Sequence, residues 1–403
     1  MVTGFFTGPQ CMHADLCDFC GRDSLKFVYQ PEGSIRGLKV FLCGHCGLVQ
    51  STPRIDRTEK RHDAAVSGGA DWGNVRYGKG FRTQVAMDAL ARHADLGADL
   101  SLLDVGSNRG RFTAAFLDAA PNAQITAVEP DERYADSCAG LSRTRLIQSR
   151  IEDAKFADAS FDIVHSCHTI EHLAGPFASL KDHARMLKPG GLLVLDAPNI
   201  ALIGGNDILE EWFIDKHLYH FSDVTLGRMI EAAGFTIIEH PDPKDRINLL
   251  FVARRNGTTV AGIEADPAEV MRGASLMTSY VTTRAANCAA LSAAAQELES
   301  LKPQRVALWG AGRLFDSLVR MGGFDPADLA LLIDAHLIQH MDSRHGVRLS
   351  PPHALSGAMV DVVVVMSRGF ADEIVAEARR LAPKARIILY ADLLARARLA
   401  KAA

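Results

Sequence analysis

From residue 101 onward the chain alternates short runs of aliphatic and β-branched residues with longer stretches whose apolar positions recur at helical spacing. Residues 102–105, 124–128, 161–166 and 191–196 read as strands with helices between them, and residues 248–254 read as the last strand before an Asn256-Gly257 exit. That alternation predicts a parallel sheet with helices on both faces. A helical run, residues 81–93, precedes it, behind a polar stretch (54–80) rich in charge and glycine. Residues 266–301 are rich in alanine and hydroxyl side chains and predict one long connecting helix or a helix pair. A second alternation follows: a strand at 305–309, the turn Gly310-Ala-Gly312, a helix at 314–321, a strand at 329–333 ending at Asp334, and further strands at 362–366 and 385–390. No repeat of solenoid period is present. The organisation expected is a ribbon at 1–55, an α/β domain at 56–256, connecting helices at 257–301 and a second α/β domain at 302–403.

The ribbon follows from cysteine spacing. Cys17 and Cys20 form one CxxC knuckle and Cys43 and Cys46 another, 22 residues later, each followed by a glycine (Gly21, Gly47). Two thiolates from each of two tight turns can converge on one tetrahedral ion, and zinc suits soft sulfur ligands. A pair of disulfides is the alternative. Four thiolates leave no open position, so the ion would be structural, holding together a segment too small to bury a core. Cys11, His13 and His45 break the two-plus-two symmetry and read as spectators; Cys138, Cys167 and Cys288 are scattered singly and read as filler. A length of 403 residues allows two or three domains, and a formal charge of −4 gives no reason to expect a nucleic-acid partner. No apolar run is long enough to span a bilayer, and residues 1–10 lack the basic start and apolar length of a signal peptide. The expected setting is a reducing cytoplasm.

The first glycine loop, Asp104-Val-Gly106-Ser107-Asn108-Arg-Gly110, lacks the GxGxxG spacing of a dinucleotide site and instead places a carboxylate at the strand end. That arrangement suits a ligand with an ammonium group and no phosphate, and S-adenosylmethionine is such a ligand. Glu129, followed by Pro130, ends the next strand, where an acid can accept both ribose hydroxyls. Glu152 and Asp153, after a short strand, suit an adenine amino group or cap a helix. Lys79 and Arg82 either meet the methionine carboxylate or are solvated charges. With Asp162, His168, Glu171-His172 and the Lys-Pro-Gly190-Gly191 turn falling in order behind these, residues 101–255 resemble class I S-adenosylmethionine-dependent methyltransferases. The resemblance implies a Rossmann-like fold and cofactor contacts from Asp104, Gly106, Ser107, Asn108, Gly110, Glu129, Pro130, Glu152, Asp153 and His168. Asn108 stands where many members have glycine.

Methyl transfer from a sulfonium needs little beyond in-line positioning unless the acceptor must first lose a proton. The segment after the fourth strand reads Trp212-Phe-Ile214-Asp215-Lys216-His217-Leu-Tyr219-His220-Phe221-Ser222. Imidazole titrates near neutrality, so His217 is the first candidate base and His220 the second, with a packed, hydrogen-bonded role as the alternative for His220. His172 either touches cofactor or acceptor or caps a helix. Ribbon, methyltransferase domain and C-terminal α/β domain together resemble the three-domain zinc-containing C-methyltransferases of nucleotide-deoxysugar biosynthesis, and this likeness covers nearly the entire chain. It implies a nucleotide-sugar acceptor methylated beside a ketone, with His217 as base, the ribbon and C-terminal domain flanking the acceptor cleft, and Tyr77 at the position of a family tyrosine. Ile214 and Lys216 replace the tyrosine and glutamate of the family's motif; a lysine there suits an acidic acceptor or an enolate. O- or N-methylation is the alternative reaction, and a non-catalytic binding module the alternative class. The lone Gly310-Ala-Gly312 with Asp334 reads as a doubly wound fold that keeps no cofactor, with Arg313, His336 and Arg344 either holding acceptor phosphates or lying as surface charge.

Overall fold

The computed structural model describes residues 16–31, 34, 36–53, 81–203, 212–214, 216–242, 248–367 and 370–402. They form two compact units: the ribbon, the first α/β sheet and the start of the long helix make one, and the remainder of the helix with the C-terminal sheet makes the other.

In the first unit, strands β1 (Leu25–Tyr29), β2 (Lys39–Cys43) and β3 (Val49–Thr52) form an antiparallel meander. The larger sheet contains β4 (Ser101–Val105), β5 (Gln124–Val128), β6 (Thr144–Ile147), β7 (Phe161–Cys167) and β8 (Leu187–Pro198), all parallel to their neighbours. A two-residue strand, β9 (Tyr219–His220), joins not this sheet but the ribbon, pairing antiparallel with β3 so that Val49 faces His220. Strands β10 (Phe235–Glu239) and β11 (Asn248–Arg255) complete the larger sheet in the order β10-β11-β8-β7-β4-β5-β6. Both are antiparallel to their neighbours, so the sheet is mixed rather than wholly parallel. The cause is the connection: residues 240–247 are too few for a crossover helix, and a short link returns the chain antiparallel. The central strands are apolar throughout, with Leu102, Leu103, Val164 and Leu193 to Leu195 sealed from solvent, as strands covered on both faces must be.

Helices α1 (Phe81–His93), α2 (Arg111–Ala119), α3 (Pro176–Met186) and α4 (Asp223–Ala232) cover that sheet. A reciprocal Ser222–Thr225 capping box starts α4, a device worth about 1 kcal/mol. The connecting segment is a single helix, α5 (Pro267–Glu299).

The second unit holds β12 (Val306–Trp309), β13 (Leu331–Ile333), β14 (Ser343–Arg344), β15 (Val347–Ser350), β16 (Val362–Val365) and β17 (Arg386–Leu389), in the order β14-β15-β13-β12-β16-β17. All pairings are parallel except that of β14 with β15. Helices α6 (Arg313–Arg320), α7 (Ala371–Leu381) and α8 (Tyr390–Ala402) belong to this unit.

Candidate active site

The end of β4 passes into a tight loop wrapped on the tip of β5, where the N–H groups of Gly106 and Ser107 donate to Val128 O at 2.8 and 3.2 Å. Gly106 has φ +75°, and a Cβ there would collide with Thr169 Oγ1, so neither backbone nor space admits another residue. Asn108 is also left-handed, at φ 49°. Asparagine is one of the few residues that tolerate that region, which is how it can occupy a position where many relatives carry glycine. Glu129 is buried; Oε2 accepts from Asn108 N–H at 2.8 Å and Oε1 from Asp131 N–H at 2.9 Å. Burial raises its carboxyl above the ordinary range despite these donors. Each oxygen keeps a lone pair free for a ribose hydroxyl. Ser107 Oγ is buried with no hydrogen-bond partner among the described residues. An orphan hydroxyl beside a buried acid is what a loop built to hold a polar nucleoside leaves over.

Asp104 is held by two side chains. Its Oδ1 lies 2.8 Å from His165 Nδ1 and its Oδ2 accepts from Thr113 Oγ1 at 2.6 Å, with 1% of the residue exposed. His165 in turn stacks on Phe112 at 3.5 Å between ring centroids. Strand β4 is central, and Asp104 is bonded to β7 on one side and α2 on the other. Pro130 is exposed. Glu152 Oε1 accepts from Ala174 N–H at 3.1 Å, while Asp153 is exposed.

A polar cluster gathers where β7 and β8 end. His168 adopts φ 48°, a strained conformation for histidine. Its Nε2 lies 3.0 Å from Asn248 Oδ1 and its Nδ1 3.6 Å from Glu171 Oε1. Asp196 Oδ2 is 3.6 Å from Cys167 Sγ. Glu171 is 2% exposed, neither of its oxygens has a hydrogen-bond partner among the described residues, and burial pushes its carboxyl up to about 8. His172 Nε2 stands 3.7 Å from Glu171 Oε1, and its Nδ1 2.8 Å from Lys216 O. A carbonyl only accepts, so His172 carries its hydrogen on Nδ1 and its lone pair on Nε2. His217 follows the same logic: Nδ1 is 3.1 Å from Trp212 O, which leaves Nε2 basic. Its ring lies 4.9 Å from that of His172. Burial first, then His172 and Lys216, hold His217 well below the usual imidazole range, so it is unprotonated at neutral pH.

The loop bearing His217 is tied on both sides. Leu218 N–H donates to Glu171 O at 2.9 Å, Tyr219 OH to Ala174 O at 3.0 Å, and Ser51 N–H to Leu218 O at 2.7 Å. His220 sits in this seam, its Nε2 3.0 Å from Ser51 Oγ and its ring edge-on to Phe213 at 4.6 Å. Burial alone lowers it to about 3. Of the two readings for His220, the geometry favours the packed, hydrogen-bonded one.

The four ribbon sulfurs converge. All lie within 4.8 Å of one another, with Cys17–Cys46 at 3.5 Å and Cys20–Cys43 at 3.6 Å. These separations are too long for disulfides and close to the roughly 3.8 Å edge of a tetrahedron with Zn–S bonds of about 2.3 Å. The hydrogen bond from Cys17 drives Cys43 far down toward thiolate and Cys20 to about 7, while Cys17 itself is driven up. Four thiols this close cannot all ionise, and a dication removes the conflict. His45 points elsewhere, its Nε2 2.9 Å from Ile263 O. The first knuckle docks on α3, where Phe19 meets Phe177 edge-on at 5.4 Å and Asp18 Oδ2 accepts from Phe177 N–H at 3.1 Å.

Tyr77, Lys79, Asp215, Cys11 and His13 lie outside the described residues. The structure thus brings His168, His172 and His217 together, with His220 near enough to His217 to disfavour its charged form. Glu171 and Asn248 belong to the cluster and were not singled out from sequence. The available signal was spacing: Glu171 follows His168 by three positions, which places both on one turn at a strand end.

A glycine loop at the first strand, an acid at the tip of the second and histidines beyond the fourth together define a methyltransferase type of α/β domain. Residues 79–240 match the family model described as a methyltransferase domain. Two curated relatives are similar to part of the chain: an uncharacterized methyltransferase of Mycolicibacterium vanbaalenii, 38% identical over 101 residues (24% of this chain, 39% of the relative), and one of Mycobacterium tuberculosis, 36% identical over 107 residues (26% and 42%). The chain therefore spans only about two fifths of the length of these relatives. Among solved structures, the Burkholderia thailandensis 1,6-didemethyltoxoflavin-N1-methyltransferase with bound 1,6-didemethyltoxoflavin and S-adenosylhomocysteine is 22% identical, covers 52% of this chain and 96% of that one, and has a TM-score of 0.37. No helix among the described residues is long and apolar enough to cross a membrane.

Proposed function

We propose that the protein is an S-adenosylmethionine-dependent methyltransferase whose acceptor is a nucleotide-activated sugar, methylated at the carbon beside a ketone with His217 as general base. The observation that carries the base assignment is the fixed tautomer of His217, a neutral imidazole with Nδ1–H given to Trp212 O and Nε2 left as the lone pair. The cofactor would be held by the loop from Gly106 to Gly110, with Glu129 on the ribose and Ser107 Oγ gaining the partner it lacks. When bound it supplies an electrophilic methyl on sulfur. His217 takes the acidic C–H proton, His172 steadies the loop through Lys216 O, and Lys216 favours an anionic acceptor or enolate. The four thiolates of Cys17, Cys20, Cys43 and Cys46 hold a structural zinc ion. The sugar-nucleotide acceptor rests on the likeness of the whole chain, ribbon to C-terminal unit, to the three-domain sugar C-methyltransferases.

Mass spectrometry of a panel of nucleotide-sugars incubated with the protein and labelled methyl donor tests the acceptor. One sugar should gain the label, and the enzyme alone should exchange that sugar's α-hydrogen with deuterium from solvent. Turnover without exchange would overturn carbon attack in favour of an oxygen or nitrogen acceptor.

A further inference from the structure

We propose that Glu171 is the proton sink of this site, a positioning residue whose carboxylate receives, through His172, the proton that His217 removes from the acceptor. The inference rests on the reading of His217 as base. Its foundation is an asymmetry in the surroundings of Glu171. The carboxyl is 2% exposed, and no other described residue donates a hydrogen bond to either oxygen; only its own N–H opposes burial from close by. Two imidazoles flank it instead, His168 Nδ1 at 3.6 Å and His172 Nε2 at 3.7 Å. Both present lone pairs on that side: His168 Nε2 faces Asn248 Oδ1 and His172 Nδ1 faces Lys216 O, so each ring's hydrogen is committed to an oxygen acceptor elsewhere. A protonated Glu171 therefore finds an acceptor after a small rotation, whereas the carboxylate finds no donor among the other described residues beyond its own N–H. The protonated form is favoured by its neighbours as well as by burial.

The remaining charged groups facing Glu171 are Arg82 from α1, Asp196 from β8 and Lys216 from the His217 loop; the two cations oppose burial and Asp196 adds to it. Burial wins. His217, by contrast, is held weakly basic by its own burial and by His172 and Lys216. A proton taken from the acceptor then moves downhill: the C–H bond breaks, its electron pair stays on the acceptor as the enolate, an N–H bond forms at His217 Nε2, and the proton passes by way of His172 Nε2 to a Glu171 oxygen. Only the carboxylate can accept, so the relay is open above about pH 8, where Glu171 has lost its proton to solvent, and closed below it.

The test needs neither methyl donor nor acceptor, so its failure is distinct from failure of the base assignment. The full chain labelled with 15N-histidine is titrated by NMR, as wild type and as Glu171→Gln, with thermal unfolding as a check that the variant folds. A shift of the His172 ring nitrogens centred near pH 8 in the wild type, lost in Glu171→Gln, is the expected result. Identical titrations in the two proteins would overturn the proposal. Should the variant not fold, the wild type decides alone, since absence of the alkaline inflection also overturns it. Metal analysis closes the remaining route: a second ion per chain, lost in Glu171→Gln while the ribbon ion stays, would make Glu171 a cation ligand and not a proton acceptor.

Discussion

The molecule contains two glycine loops, each following the first strand of a sheet and facing an acid at the end of the next strand, and they differ in what they leave unsatisfied. At the second loop, Asp334 is consumed by the fold: Oδ2 accepts from Ala311 N–H at 3.0 Å and Oδ1 from His336 and Leu337 N–H at 3.0 and 2.9 Å. Gly310 is pressed so close to Met366 O that a Cβ would lie 2.8 Å from it. At the first loop, among the described residues, Glu129 takes two backbone donors and Ser107 Oγ has no partner. The layout of strand, turn and helix is shared; spare hydrogen-bonding capacity is not. A nucleoside site is therefore recognised by polar groups the fold has not used, more than by its glycines.

Paired substitutions put that contrast at risk. Gly106→Val should abolish methyl-donor binding, with at least about a 100-fold weaker Kd by calorimetry, because it adds both a forbidden φ and a clash with Thr169. Gly310→Val should lower the unfolding temperature but leave donor affinity within about twofold. A Gly106→Val protein with normal affinity would end the assignment of that loop. Glu129→Gln should weaken the donor by roughly tenfold, the scale of one hydrogen bond to a charged group, while Asp334→Asn changes it little. The pH profile sharpens this. Since burial raises the Glu129 carboxyl, protonation at falling pH removes an acceptor early, and donor affinity should fall with it; Glu129→Gln should flatten the profile. Smallest is Ser107→Ala, expected to cost about threefold in donor affinity and nothing measurable in stability, since the hydroxyl has no partner to lose among the described residues.

Much of this architecture was readable because it rests on local pattern. Apolar runs at 102–105 and 124–128 are strands at nearly those limits, and the two-plus-two cysteine spacing brings its sulfurs together. What escaped depends on contacts distant in sequence. Strand β9 has two residues and pairs with β3 some 170 positions earlier, too short to show a period. The pairing of Asp104 with His165, its register partner on β7, is not visible in the motif. The packing of His220 against Ser51 and Phe213 brings together residues far apart in sequence, so its hydrogen-bonded alternative had no local signal. Glu171 was overshadowed by the histidine next to it, and its bond to Leu218 N–H joins segments far apart in sequence.

The ladder between Val49–Gln50 and Tyr219–His220 has a practical outcome. It hangs the His217 loop from the ribbon, while the Gly106 loop is anchored on β5 and needs no such support. On the proposal that the four cysteines hold an ion and His217 is the base, protein stripped of that ion by a chelator during purification would still bind donor yet turn over nothing. Screened in that condition, the right acceptor would be discarded as a false negative.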